Sequence, residues 1–182
     1  MSDANAALIA LVGVLAGGYI NNFLGDDYKR YREGQALAGA LAGELKSHGT
    51  AVPEIRRQLE SMLSYLQSPP STLDFTENEF NPPNSPVFDA GVSKLGLLGP
   101  ALAEDVAYVY EQIRAFRITF SRVIKIASKA SREQTTFTLN YCLTCLNRAD
   151  ERGQKLVVDL QTFAKAGYWR SRPWLGLDKI PG

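Results

Sequence analysis

Apolar positions fall into three patterns along the chain, and each predicts a different element. Ala6 to Ile20 reads AALIALVGVLAGGYI without a charge, and continuing to Leu24 adds only Asn21 and Asn22 as strongly polar positions. A helix that crosses a bilayer needs about 20 mostly apolar residues at about 1.5 Å rise each. Asn5 to Leu24 meets that length, so the pattern predicts an N-terminal transmembrane helix. From Asp26 onward the apolar residues recur at helical spacing instead. Leu37, Leu41 and Leu45 repeat every four residues among alanines, and Gly49 marks a helix stop. Pro53 suits the first turn of a further helix. Its stripe is Ile55, Leu59, Met62 and Leu66, and it ends before Pro69-Pro70.

The third pattern is the longest. Leu102, Val106, Val109, Ile113, Phe116, Phe120, Val123, Ala127 and Ala130 alternate spacings of four and three. Leu139, Cys142, Leu146, Ala149, Gly153, Leu156, Leu160 and Phe163 do the same. Two such seams predict a long antiparallel helical hairpin over 100–166. Ser131 with Gln134 fits a capping box, where a new helix can start. Gly153 is the weak point of the second helix, and Gly167 suits its end. Residues 68–99 hold Pro69, Pro70, Pro82, Pro83 and Pro86 and predict a loop. Its later part, with Val87, Phe88, Val92, Leu95, Leu97 and Leu98, is too apolar for a free linker and should pack on the bundle. No strand alternation appears. The expected fold is therefore all-α. The divisions are an anchor over 1–25, stalk or bundle helices over 26–67, a Pro-rich loop over 68–99, the hairpin over 100–166 and a tail over 167–182.

Charge places the chain relative to the bilayer. The only charged side chain before the apolar run is Asp3, whereas Lys29, Arg30 and Arg32 follow it. A signal peptide carries basic residues first. The order here predicts an anchor in the inner membrane, N-terminus outside and bulk in the cytoplasm. Within the run, Gly13 and Gly17 form a G-x-x-x-G pair, a candidate self-association face. Among the 182 residues, 20 Lys and Arg nearly balance 19 Asp and Glu, which argues against nucleic acid as a partner. Two Cys rule out a disulfide-dense scaffold, and one His rules out any site that needs two.

Candidate chemistry is sparse. Cys142 and Cys145 form C-L-T-C, but no second pair or nearby His completes a zinc site. The pair reads as seam packing. His48 before Gly49 reads as a helix-end cation. Asp26-Asp27, Glu104-Asp105 and Asp150-Glu151 read as solvated helix charges, since no Glu-x-x-His accompanies them. No P-loop, G-x-G-x-x-G or G-x-S-x-G motif is present. No catalytic residue, metal, cofactor or small-molecule ligand is inferred. Two clusters stand out. Arg114, Arg117, Arg122, Lys125, Lys129 and Arg132 share one broad helix face without an intervening acid. That face suits lipid head groups, an acidic partner or the acidic loop 74–89. In the tail, Tyr168, Trp169, Arg170, Arg172 and Trp174 combine aromatic and basic side chains, as membrane interfaces favour.

The stretch PVFDAGVSKLGLLGPALAEDVAYVYEQIRAFR, from Pro86 to Arg117, resembles a loose group of bacterial proteins. Those pair an uncharged N-terminal anchor with an Ala/Leu-rich helix and an LGLLGP-type turn before a long helix. The resemblance covers the anchor, residues 34–46 and residues 86–117. It implies a bacterial, membrane-anchored helical protein and no activity or functional residue. The sequence thus predicts a membrane-tethered, non-catalytic interaction or assembly module that self-associates, with a membrane and a homo-oligomer or protein partner as its expected partners. Three rival readings stand beside it. One is a membrane-acting effector or pore-forming toxin, and a second is a soluble bundle with residues 6–24 in its core. The third is an enzyme with a polar pocket near residues 74–105.

Overall fold

The computed structural model describes residues 2–68, 84–126 and 129–168. Helix α1 (Ser2–Tyr19) passes through a π-helical turn (Ile20–Leu24) into α2 (Gly25–Gln67). The short α3 (Pro86–Gly91) and a 3-10 segment (Val92–Leu98) follow, then α4 (Pro100–Ile126) and α5 (Arg132–Lys165). The fold is all-helical, and no strand occurs among the described residues. The long helices pack together, with α5 lying along both α2 and α4. By contrast, α2 and α4 stay apart over much of their length.

Helix α2 corrects one expectation from the sequence. It runs unbroken for 43 residues through Gly49 and Pro53, where a stop and a new start were expected. Proline lacks the N–H that would bond four residues back, and its ring crowds that carbonyl. The residue four back is Gly49, which brings no side chain to the crowded turn. Packing on both sides then holds the helix together. Leu41, Ala42 and Leu45 lie in one buried cluster with Val106, Val109 and Leu160. Val52, Leu59 and Leu66 lie in a second with Phe116, Val123, Leu139 and Cys142. A glycine stop would need a positive φ, and among the described residues only Gly99 has one, at 80°.

Local chemistry sets the other ends. Ser131 accepts from the Gln134 N–H at 3.2 Å while Gln134 Oε1 accepts from the Ser131 N–H at 3.3 Å, a complete capping box for α5. At the far end of α5, the buried Gln35 amide donates to the carbonyls of Ala166 at 2.7 Å and Ala164 at 3.1 Å. Tyr31 donates to the Ala166 carbonyl at 2.9 Å. These bonds satisfy carbonyls that the helix itself leaves open.

The segment after Pro86 docks between α2 and α4. Leu98 is buried, and Val87, Phe88 and Leu95 pack against the first cluster. Gly34 allows the approach, because a Cβ there would sit 2.8 Å from the Leu97 carbonyl oxygen. Residues 69–83 of the expected Pro-rich loop lie outside the described residues.

No described side chain of helix α1 belongs to either cluster. All side chains from 7 to 18 are exposed. Leu8, Ile9, Leu11, Val12, Val14 and Leu15 range from 57% to 73% exposed. The helical run from Ala7 onward is long and apolar enough to cross a membrane.

Candidate functional site

Beyond the docked segment, the gap between α2 and α4 stays open as a cleft of about 780 Å³, with α5 as its floor. Val52 and Ile55 of α2, Ile113, Phe116 and Phe120 of α4, and Leu146 and Val157 of α5 make its walls mostly apolar. Phe116 and Phe120 stack with centroids 5.7 Å apart. The space exists because the facing positions are small. Gly49, Ala51, Ala149 and Gly153 all line it.

Beside the cleft, next to its lining residues Leu45 and His48, lies a polar cluster that Glu44 organises. Its carboxylate accepts from the N–H groups of Val87 at 2.9 Å and Phe88 at 3.2 Å, and from the Tyr110 hydroxyl at 2.7 Å. Glu44 thereby caps α3 from outside. Ser85, the N-cap position, makes no side-chain cap of its own. Its hydroxyl lies 3.3 Å from His48 Nε2 instead. Burial and the bond to Glu44 push the Tyr110 phenol above its ordinary range, so it stays a donor. Its ring stacks on Phe88 at 4.0 Å. Burial, and then the Arg117 guanidinium, lower the His48 pKa, against a smaller opposing pull from Glu44.

Ser85 beside His48 has the makings of a nucleophile and base. Ser85 is only 3% exposed and does not line the cleft, so no substrate in the cleft reaches it. The pair instead ties the docked segment to α2. Among the described residues no group of three or more His, Cys, Asp or Glu is placed to hold a metal.

The structure distributes the sequence candidates unevenly. Arg117 leaves the basic face and lines the cleft, half-buried, under the electrostatic attraction of Glu44 and Asp89. Asp89 belongs to the acidic stretch 74–89 considered as a counterpart for this face. Arg114 is exposed and lies 3.9 Å from Glu111. Arg122, Lys125, Lys129 and Arg132 are exposed. A Cβ on Gly13 or Gly17 would meet nothing within 4 Å, so that face is open in the single chain. In the tail, Tyr168 donates to Asp27 at 2.7 Å and meets the rings of Tyr28 at 5.2 Å and Tyr31 at 5.3 Å. Tyr168 thus sits against the start of α2. Trp169, Arg170, Arg172 and Trp174 lie outside the described residues. Cys142 and Cys145 are free and buried, and burial pushes the Cys142 thiol up to about 12.

The cleft was missed in the sequence. Its signal was present in the small residues 149 and 153, one turn apart in the α5 seam, but a glycine in a heptad reads as weakness rather than as space. No family model, curated protein or solved structure matches the chain.

Proposed function

We propose that the protein is a single-pass, membrane-tethered helical module that binds partners and self-associates, without catalysis. Its N-terminus lies outside, and the bundle lies on the cytoplasmic side of a bacterial inner membrane. One observation carries this reading: an apolar helix with every side chain from 7 to 18 exposed runs directly into the bundle helix. So much contiguous apolar surface on a soluble monomer would be an aggregation hazard, and a bilayer is the solvent it suits. Lys29, Arg30 and Arg32 supply the orientation. We read α4 and α5 as an antiparallel hairpin, since Arg152 bonds Asp105 at 2.6 Å while Val123 and Leu139 share the second cluster. The open Gly13–Gly17 face is the self-association surface.

The test compares the full chain with one starting at Tyr28, under alkaline carbonate extraction. The full chain should stay with the membrane, and the shortened chain should be soluble and helical. Solubility of both would overturn the anchor. Insolubility of the shortened chain would place residues 6–24 in the core. In membranes, Gly13→Leu should abolish crosslinking between copies; unchanged crosslinking would remove the glycine face from the reading.

A further inference from the structure

We propose that the cleft between α2 and α4 binds a single-chain amphiphile with an anionic head group, of which a long-chain carboxylate is the simplest. Its volume of about 780 Å³ lies within the range of about 300–1,000 Å³ typical of small-molecule sites. Its lining on α2 runs from Leu45 to Leu59, about 20 Å at helical rise. An elongated, mostly apolar slot of this volume suits an alkyl chain.

Charge selects the head group. The cleft is lined by two cations, Lys46 and Arg117, and one carboxylate, Asp150. Asp150 is occupied, bonded to Arg56 at 2.8 Å and to Gln154 at 2.9 Å. Arg117 is different. Its attraction to Glu44 and Asp89 includes no ion pair within 4 Å, and both Glu44 oxygens already accept other donors. A half-buried guanidinium with unspent donors beside an apolar wall is a ready partner for an anion. Lys46, exposed on the α2 side, adds a second positive charge. The lowered His48 stays neutral and leaves room for one anionic head without a third cation.

The experiment uses the full chain in phosphatidylcholine nanodiscs with a diazirine-bearing palmitic acid, followed by mass spectrometry of the crosslinked peptides. Saturable labelling is expected within 45–59, 109–120 and 146–161. Arg117→Gln should raise the half-saturation concentration about tenfold, the loss of one charge-assisted bond. The matching diazirine alcohol, tested on the unaltered chain, should bind about tenfold more weakly than the acid. Ala149→Phe places a ring in the slot and should remove the labelling, with far-ultraviolet circular dichroism confirming the fold. Should that variant not fold, the comparison of acid and alcohol decides alone. Labelling confined to residues 7–24 would overturn the proposal. So would equal binding of acid and alcohol, or labelling that survives in folded Ala149→Phe.

Discussion

At the scale of single residues, the polar cluster beside the cleft makes stability depend on pH through His48. Its folded pKa lies below the ordinary 6.5, lowered by burial first and Arg117 second, with Glu44 opposing. The unfolded chain therefore binds the proton more readily. Stability is fully present above about 6.5 and falls as the pH drops toward the folded pKa. Thermal melting followed between pH 7.5 and 5.5 should show this loss, and His48→Gln should flatten it. An unaltered slope in the variant would assign the dependence to other groups. Glycines divide just as sharply. Gly34→Ala gains helix propensity of about 1 kcal/mol. It also drives a Cβ to 2.8 Å from the Leu97 carbonyl oxygen, a backbone atom that cannot swing aside. Overpacking of about 1–3 kcal/mol should win, giving net destabilisation in urea. Gly153→Ala meets only Val109 Cγ1, at 3.7 Å, and should raise stability by up to about 1 kcal/mol. Nothing in the sequence separates these two glycines, because what matters is the atom facing each across the bundle.

At the scale of elements, legibility follows the range of the forces. The capping box at Ser131 was readable because its four residues satisfy one another locally. The helix at Pro53 was not, because its persistence depends on Leu45 and Val52 being buried in two clusters made by distant helices. The docked segment was half legible. Val87, Phe88 and Leu98 announced burial, but nothing announced that Glu44, more than forty residues earlier, would cap α3. That dependence predicts a local failure. Glu44→Ala leaves two backbone N–H groups and the Tyr110 hydroxyl without their acceptor, at a cost of at least about 2 kcal/mol. Amide hydrogen exchange should quicken over 86–98 well before it quickens in α5. Uniform acceleration across all helices would mean that the segment does not open as a separate unit.

At the scale of the whole molecule, the heptad seams made the all-helical architecture legible, and the apolar run made the N-terminal helix legible. The cleft was not, since it is the space left between α2 and α4 where both pack on α5 without close contact with each other. The continuity of α2 also changes what the basic face can meet. Leu66 shares the second cluster with Val123, so Arg122 and Lys125 sit at the end of the bundle remote from α1. From Leu24 to Leu66 the helix rises about 60 Å along its axis. Surface potential at a bilayer decays within about 8–10 Å at ordinary ionic strength. If α1 crosses a bilayer as proposed and the bundle stands on it, Arg122, Lys125, Lys129 and Arg132 lie beyond the reach of the head groups, whereas Lys29, Arg30 and Arg32 lie against them. Replacing the four distal cations with glutamate should leave carbonate-resistant retention and membrane orientation unchanged. It should weaken capture of an acidic protein partner, with a loss that high salt reproduces in the unaltered chain. Replacing Lys29, Arg30 and Arg32 with glutamine should instead mix the two orientations, read by protease accessibility of the bundle in sealed vesicles. Loss of retention in the distal variant would mean that the bundle lies flat on the bilayer.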